Sequence, residues 1–176
     1  ETGPAFSYGI CGSQSDNGWD PYCGSYPDDA LIQWTGVDVN DGRIEQALSF
    51  TLPSYTDGVL YFASGQPIDL SPYRDQGILS FDFKIQDNVT VYSELYAAVW
   101  CTWRCGAFET IDLSSIEAGV WNRVEVPLSE LESRGLDLSR IETGIEFSAY
   151  SDSGDPISIQ VANIKYLLNG PIDSDG

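Results

Sequence analysis

The 176-residue chain carries 27 acidic and 8 basic side chains, and its formal net charge of −19 opposes binding to nucleic acid or to anionic membrane surfaces. It contains no His, which excludes the usual Ser/His/Asp and Cys/His nucleophile systems and the commonest ligand of zinc and copper. Its length fits a single domain over residues 1–176, and its charge favours a neutral ligand and is typical of a protein from a saline or marine source.

The two ends of the chain lack the periodicity of regular structure. Residues 1–3 resemble an expression scar, and residues 4–30 are rich in Gly, Ser, Asp and Tyr, which predicts a loop region. This loop contains Trp19, a candidate ligand contact. Residues 169–176 predict a polar tail or linker. No apolar run approaches the roughly 20 residues of a membrane span, and any signal peptide is expected to have been removed.

Between these ends the chain alternates short strand signals with turn signals. Runs of alternating apolar and polar side chains predict strands at 31–35, 43–52, 58–64, 78–85, 89–100, 107–115, 120–128, 143–151 and 156–168. Helical signals are minor. About nine strands at this spacing predict an all-β fold, an antiparallel β-sandwich or jelly roll.

Four cysteines, an even number without the CxxC spacing of zinc ligands, predict two disulfides. We pair Cys11 with Cys23 and Cys101 with Cys105, although the sequence does not fix this connectivity. Disulfides persist in oxidising compartments. We therefore expect an exported protein that is secreted, periplasmic or at the cell surface.

The two cysteines that lie closest in the sequence mark the first candidate binding site. Cys101 and Cys105 bracket a short loop that holds Trp103 and Arg104. A rigid aromatic ring beside a fixed donor suits a flat ligand with hydroxyl groups, such as a sugar. We predict that Trp103 stacks on a sugar ring and that Arg104 donates to its hydroxyls. The alternative is a tip that packs against the loop around Trp19.

The outward side chains of the clearest strands make the second candidate site. They combine aromatic rings with polar groups, and they are Asp82, Lys84, Glu94, Tyr96, Trp100, Glu146, Ser148, Tyr150, Ser158 and Gln160. If these strands share one sheet, their outer face is the floor of a groove that binds internal stretches of a polysaccharide. The alternative is an ordinary solvated face.

An acidic turn after the first predicted strand is a candidate metal site. Asp38, Asn40 and Asp41 have the oxygen-rich character of a calcium loop but lack the full pattern of an EF-hand. A structural calcium ion is therefore the one cofactor that the sequence suggests.

Several segments in chain order resemble a known family. They include PDDALIQWTG, the two close cysteines followed by an ID strand, and WNRVEVPL, and together they cover most of residues 27–167. They are similar to the galactose-binding-like β-sandwich domain that follows the catalytic domains of bacterial family 3 exo-β-glucan hydrolases. The resemblance implies a jelly roll that acts as a carbohydrate-binding module on an attached hydrolase, and it makes a structural calcium plausible.

The sequence therefore predicts a non-catalytic module that binds a neutral polysaccharide and targets an attached glycoside hydrolase to it. The resemblance makes β-1,3- or β-1,4-linked glucans the first ligands to test. Three alternatives remain open: a module for agar-type galactans, an exported structural domain without a ligand, and a small glycosidase. The last would use a carboxylate pair drawn from Asp82, Glu94 and Glu146.

Overall fold

The structure is a computed structural model that describes residues 7–12, 34–39, 44, 46–52, 58–102 and 105–168. Ten strands lie in these ranges: β1 Ser7–Gly12, β2 Trp34–Asp38, β3 Gln46–Leu52, β4 Gly58–Ile68, β5 Gly77–Ile85, β6 Ser93–Trp100, β7 Gly106–Asp112, β8 Asn122–Pro127, β9 Ile141–Ser151 and β10 Ile157–Leu168. One short helix, α1, spans Leu128–Ser133. No helix in the described ranges is long and apolar enough to cross a membrane.

The strands form two antiparallel sheets. Sheet A has the order β1-β4-β9-β6-β7, and sheet B has the order β2-β3-β10-β5-β8. Both sheets mix early and late strands, since β9 lies between β4 and β6 in sheet A and β10 lies between β3 and β5 in sheet B. The predicted antiparallel β-sandwich is confirmed.

The core lies between the sheets and follows the period of two that strands impose on side chains. From β5, Leu79, Phe81, Phe83 and Ile85 all point inward and are at most 2% exposed. Phe147 of sheet A meets Phe81 of sheet B edge to face, with 5.2 Å between ring centroids. Burying each such side chain contributes about 1.5–3 kcal/mol, so the core strands hold the two outer faces in fixed positions.

One strand is present where the sequence predicted only loop. Residues Ser7–Gly12 form β1, which pairs with β4 at the edge of sheet A. The prediction was wrong here because this segment contains two glycines and lacks apolar alternation, so its pairing is set by the edge of β4 rather than by its own pattern.

The cysteine tip is tied to the segment that follows α1. Cys101 and Cys105 form a disulfide, as predicted, with their Cα atoms 5.1 Å apart. The backbone N–H of Asp137 points at both sulfur atoms, at 3.3 and 3.4 Å. Gly135 ends the helical segment with a φ of 110°, a conformation that favours glycine. The other predicted bond involves Cys23, which lies outside the described residues.

Candidate functional site

The ten side chains predicted to form one groove floor lie on two different faces. Those from β6 and β9 belong to sheet A, whereas those from β5 and β10 belong to sheet B. The two sheets pack through their inner faces, so their outer faces point in opposite directions. The prediction of one shared sheet was therefore wrong, because strand alternation gives the side of a strand but not the sheet to which it belongs.

Asp82, predicted as a ligand contact, is a buried structural group. Its side chain is 0% exposed and accepts two hydrogen bonds from Arg123, at 3.0 Å from Nε and 3.1 Å from Nη2. A third comes from Asn163 Nδ2 at 2.7 Å. Asn163 adopts a φ of 52°, which few non-glycine residues do. Asp82 is therefore part of the packing of sheet B and is not accessible to a polysaccharide.

Two further predicted contacts share the outer face of sheet B with Asp82. Lys84 and Gln160 are directly paired between β5 and β10. Lys84 Nζ lies 4.7 Å from the centroid of the Trp121 ring, in a cation–π contact. The side-chain oxygen of Gln160 is buried without a hydrogen-bond partner among the described residues. These groups are separated from the predicted aromatic contacts by the thickness of the sandwich.

The outer face of sheet A brings the predicted aromatic contacts together. In an antiparallel pair, directly opposed residues project from the same side of the sheet. The register and the ring contacts therefore gather one set of side chains on this surface, which we call the aromatic face: Tyr61, Tyr92, Glu94, Tyr96, Trp100, Phe108, Glu146, Ser148 and Tyr150. Six of the ten predicted groove residues are among them.

A shared carboxylate fixes the tyrosines at one end of this face. Glu94 accepts hydrogen bonds from the hydroxyls of both Tyr92 and Tyr96. The bond to Glu94, followed by burial, raises the pKa of Tyr96 to about 12. The Tyr96 ring also contacts Phe108 edge to face, with centroids 6.2 Å apart. These rings stay neutral and keep a set orientation, as a stacking surface requires.

Trp100 lies at the other end, against a glycine that leaves room for its ring. A Cβ atom at Gly106 would stand 2.3 Å from Cε3 and 2.8 Å from Cζ3 of the indole. The indole therefore leans over Gly106 on β7, and only glycine fits beneath it. Its Nε1 atom is buried and makes no hydrogen bond of regular geometry within the described ranges. The indole N–H is thus buried beside Glu146 rather than exposed at the surface of the face.

Glu146 stands beside Trp100 on the neighbouring strand β9. Burial raises its pKa, and the nearby indole of Trp100 acts in the opposite direction, favouring the charged form more weakly. Glu146 is opposed by Tyr61 on one side and by Ala98 on the other. The carboxylate is thus half-buried between aromatic groups, on the surface where a ligand would lie.

Three aromatic members of this face escaped the sequence analysis. Phe108 is 55% exposed and Tyr92 is 49% exposed, unusual values for such large rings, and Tyr61 lies beside Glu146. Phe108 has the same phase as the polar residues Thr110 and Asp112 in β7, and this is the signal that could have placed it outward. Tyr92 precedes β6, but it lies in the predicted strand 89–100 with the same phase as Glu94 and Tyr96, and that alternation could have placed it outward.

Charged groups are distributed unequally between the two sheets. The five strands of sheet A contain no Lys or Arg, and all their charged residues are acidic. The strands of sheet B contain Lys84, Arg123 and Lys165. Arg134 reaches the edge of β7 from the segment after α1, but it is paired there with Glu109. The aromatic face therefore combines rings with carboxylates and has no cation from its own strands.

Several predicted site residues lie outside the described part of the chain. These are Trp19, Asn40, Asp41, Trp103 and Arg104, and of Asp38 only the backbone is described. The tip site and the calcium site therefore stay predictions. Within the described ranges, no group of three or more His, Cys, Asp or Glu side chains is arranged to hold a metal ion.

We expect Glu146→Gln to leave the protein at least as stable as the wild type at neutral pH. A burial-raised pKa means that ionised Glu146 costs folding free energy above that pKa, and glutamine removes the charge. Below the ordinary glutamate pKa of about 4.3, Glu146 is protonated in both states and the advantage of the variant disappears. Melting temperatures at about pH 7 and about pH 4 test this. A pH-independent loss of stability would contradict it.

The fold is an antiparallel sandwich of two five-stranded sheets. The chain belongs to the Exop_C family, described as galactose-binding domain-like, whose model matches residues 26–166. The resemblance found in the sequence is confirmed. No curated protein sequence matches the chain.

Solved structures of a glucanase and of a binding module share the fold. An exo-1,3/1,4-β-glucanase from a Pseudoalteromonas species is 15% identical with a TM-score of 0.62, and the match covers 96% of this chain but 20% of that one. A family 30 carbohydrate-binding module of a Clostridium thermocellum cellulase is 16% identical, with a TM-score of 0.56 over 80% of this chain and 84% of that one.

A third structure carries a bound sugar. The family 11 carbohydrate-binding module from Clostridium thermocellum, in complex with a β-1,3-1,4-mixed-linked tetrasaccharide, is 18% identical with a TM-score of 0.52, over 79% of this chain and 83% of that one. The chains matched over most of their length are binding modules or an extra C-terminal domain, not catalytic domains. At 14–18% identity, these likenesses establish that the chain shares their fold.

Proposed function

We propose that this protein is a carbohydrate-binding module that binds a neutral β-linked glucan on the aromatic face of sheet A. The observation that carries the proposal is the row of rings on that face: Tyr96, Trp100, Phe108 and Tyr150 project from neighbouring strands among polar groups. Rings of this kind stack on the apolar faces of sugars, while carboxylates and hydroxyls accept or donate hydrogen bonds at the sugar edges.

The polar groups of the aromatic face suit a neutral sugar. Glu94, Glu146 and Ser148 offer acceptors to sugar hydroxyls, and the hydroxyl of Ser148 can also donate. Each hydrogen bond contributes only about 0.5–1.5 kcal/mol net, so the affinity of such a surface depends on several sugar units bound at once. This favours an extended chain over a single terminal sugar.

The parent protein, the compartment and the metal site extend this proposal. The match covers only a fifth of the Pseudoalteromonas glucanase, which supports a role as one domain of a larger glycoside hydrolase that it targets to its polysaccharide. Export from the cell is part of the same proposal, and the Cys101–Cys105 disulfide supports it. A structural calcium ion held by Asp38, Asn40 and Asp41 is a further part of the proposal.

Affinity electrophoresis tests the proposal. Mixed-linkage β-1,3-1,4-glucan, laminarin, hydroxyethylcellulose and agarose are cast separately into native gels, with an inert protein as the migration standard. We expect retardation by at least one β-glucan and none by agarose. Retardation by agarose alone would instead support the galactan-binding alternative. Free migration in every gel would contradict carbohydrate binding, and a structural domain would then be the better description.

A further inference from the structure

The strands that form the aromatic face carry charged side chains of one sign only. Every charged residue in the strands of sheet A is acidic, and Glu94 and Glu146 both project among the rings. Glu94 is engaged by two tyrosine hydroxyls. Glu146 lies next to the indole N–H of Trp100, with which it makes no hydrogen bond of regular geometry. Glu146 is thus the carboxylate that lies nearest to Trp100, whereas Glu94 lies among the tyrosines.

We propose that Glu146 makes the aromatic face select its glycans by charge, so that neutral and amino-sugar β-1,4 polymers bind while uronic acid polymers of the same backbone do not. This inference rests on the proposed function, because it assumes that a glycan lies on this face. It adds a chemical class of ligand, the amino sugars, and a residue that decides between ligands.

The physical reason is the partial burial of this carboxylate. A charge at a half-buried site is less screened than one in open solvent, so a second negative charge brought close to it is repelled strongly. No Lys or Arg in the strands of sheet A is present to offset that repulsion, and Arg134 at the edge of β7 is already paired with Glu109. A protonated amine at the same place is attracted instead, and a neutral hydroxyl donates a hydrogen bond.

The test compares three hexasaccharides that share one β-1,4-linked backbone: cellohexaose, its glucosamine counterpart and its glucuronic acid counterpart. Calorimetry is run at about pH 6 and at about pH 7: the uronates are ionised at both, the glucosamine amines are protonated mainly at the lower pH, and Glu146, whose pKa burial raises, is more fully ionised at the higher one. We expect the glucuronic acid hexamer to bind more weakly than cellohexaose by a factor of about 10 or more. We expect the glucosamine hexamer to bind at least as tightly as cellohexaose, with an advantage that shrinks as salt is added.

A pair of variants separates the local effect from the net charge of the protein. Glu146→Gln and Glu125→Gln each remove one negative charge, but Glu125 is part of β8 in sheet B, away from the aromatic face. We expect Glu146→Gln to reduce the preference for cellohexaose over the glucuronic acid hexamer by about fivefold. Glu125→Gln should leave that preference unchanged.

The outcomes separate the two proposals. Equal binding of the neutral and uronic hexamers to the wild type would overturn charge selection and leave the binding function intact. Equal effects of Glu146→Gln and Glu125→Gln would overturn the role of Glu146, because net charge alone would then account for the preference. Failure of all three hexamers to bind would overturn the inference, and together with free migration in every β-glucan gel it would overturn the proposed function as well.

Discussion

Asp82→Ala is expected to lower the free energy of unfolding by about 3–5 kcal/mol, the largest effect of any single substitution proposed for this protein. Asp82 is fully buried, and it holds the guanidinium of Arg123 and the amide of Asn163 in place through three hydrogen bonds. Removing it leaves both partners without their acceptor. Asn163 also loses a bond that helps to hold its backbone at a φ of 52°.

Urea denaturation measures this loss, and the chain offers a matched control. Asp75 is an exposed aspartate in a turn, and Asp75→Ala should change stability by no more than about 0.5 kcal/mol. A cycle that combines Asp82→Ala with Arg123→Ala should show coupling between the two positions, because each single variant leaves the other group without its charge partner. If Asp82→Ala unfolds at the same urea concentration as the wild type, the buried carboxylate does not stabilise the fold.

Asp82 shows what the alternation of a strand can predict and what it cannot. The alternation in β5 correctly placed Phe81 and Phe83 inward and Asp82 outward. It could not show that the outward side is covered. The groups that surround Asp82 come from β8 and β10, far along the chain at positions 123 and 163. No local pattern carries that information.

The membership of each strand in a sheet was unpredictable for the same reason. Glu94 and Tyr150 were predicted to share a face, and they do, because β6 pairs with β9. Asp82 and Gln160 were predicted to share a face as well, and they also do, because β5 pairs with β10. The sequence did not show whether the β6–β9 pair and the β5–β10 pair belong to the same sheet. They belong to different sheets, so their outward side chains lie on opposite outer faces.

Features that depend on residues close together in the sequence were predicted more successfully. The Cys101–Cys105 bond closes a loop so short that its two ends can hardly separate, and it is present. The family resemblance was carried by short segments in a fixed order, and it is confirmed over residues 26–166. The alternation in β7 shows only which side of the strand Phe108 is on. The pairing of β7 with β6 is needed to show that its ring contacts Tyr96.

The double variant Tyr96→Ala with Trp100→Ala is expected to lower the affinity for a β-glucan hexasaccharide by about 100-fold. Each lost aromatic contact costs on the order of 1.5 kcal/mol, close to a factor of about 10, and the two rings act at separate places on β6. Calorimetry measures the change. Trp121→Ala, which removes an indole from the outer face of sheet B, is the control and should bind as the wild type does.

The spacing of these two rings also predicts how affinity depends on ligand length. The strand carries Tyr96 and Trp100 about 13 Å apart, at roughly 3.3 Å per residue. One sugar ring cannot reach both, so the affinity of the wild type should rise from disaccharide to hexasaccharide. In the double variant that rise should be smaller, because the two rings of β6 that lie farthest apart are gone and only Tyr61, Tyr92, Phe108 and Tyr150 remain on the face. An affinity that is flat from two units upward would contradict an extended site on the aromatic face. It would favour instead a small site such as the predicted tip at Trp103.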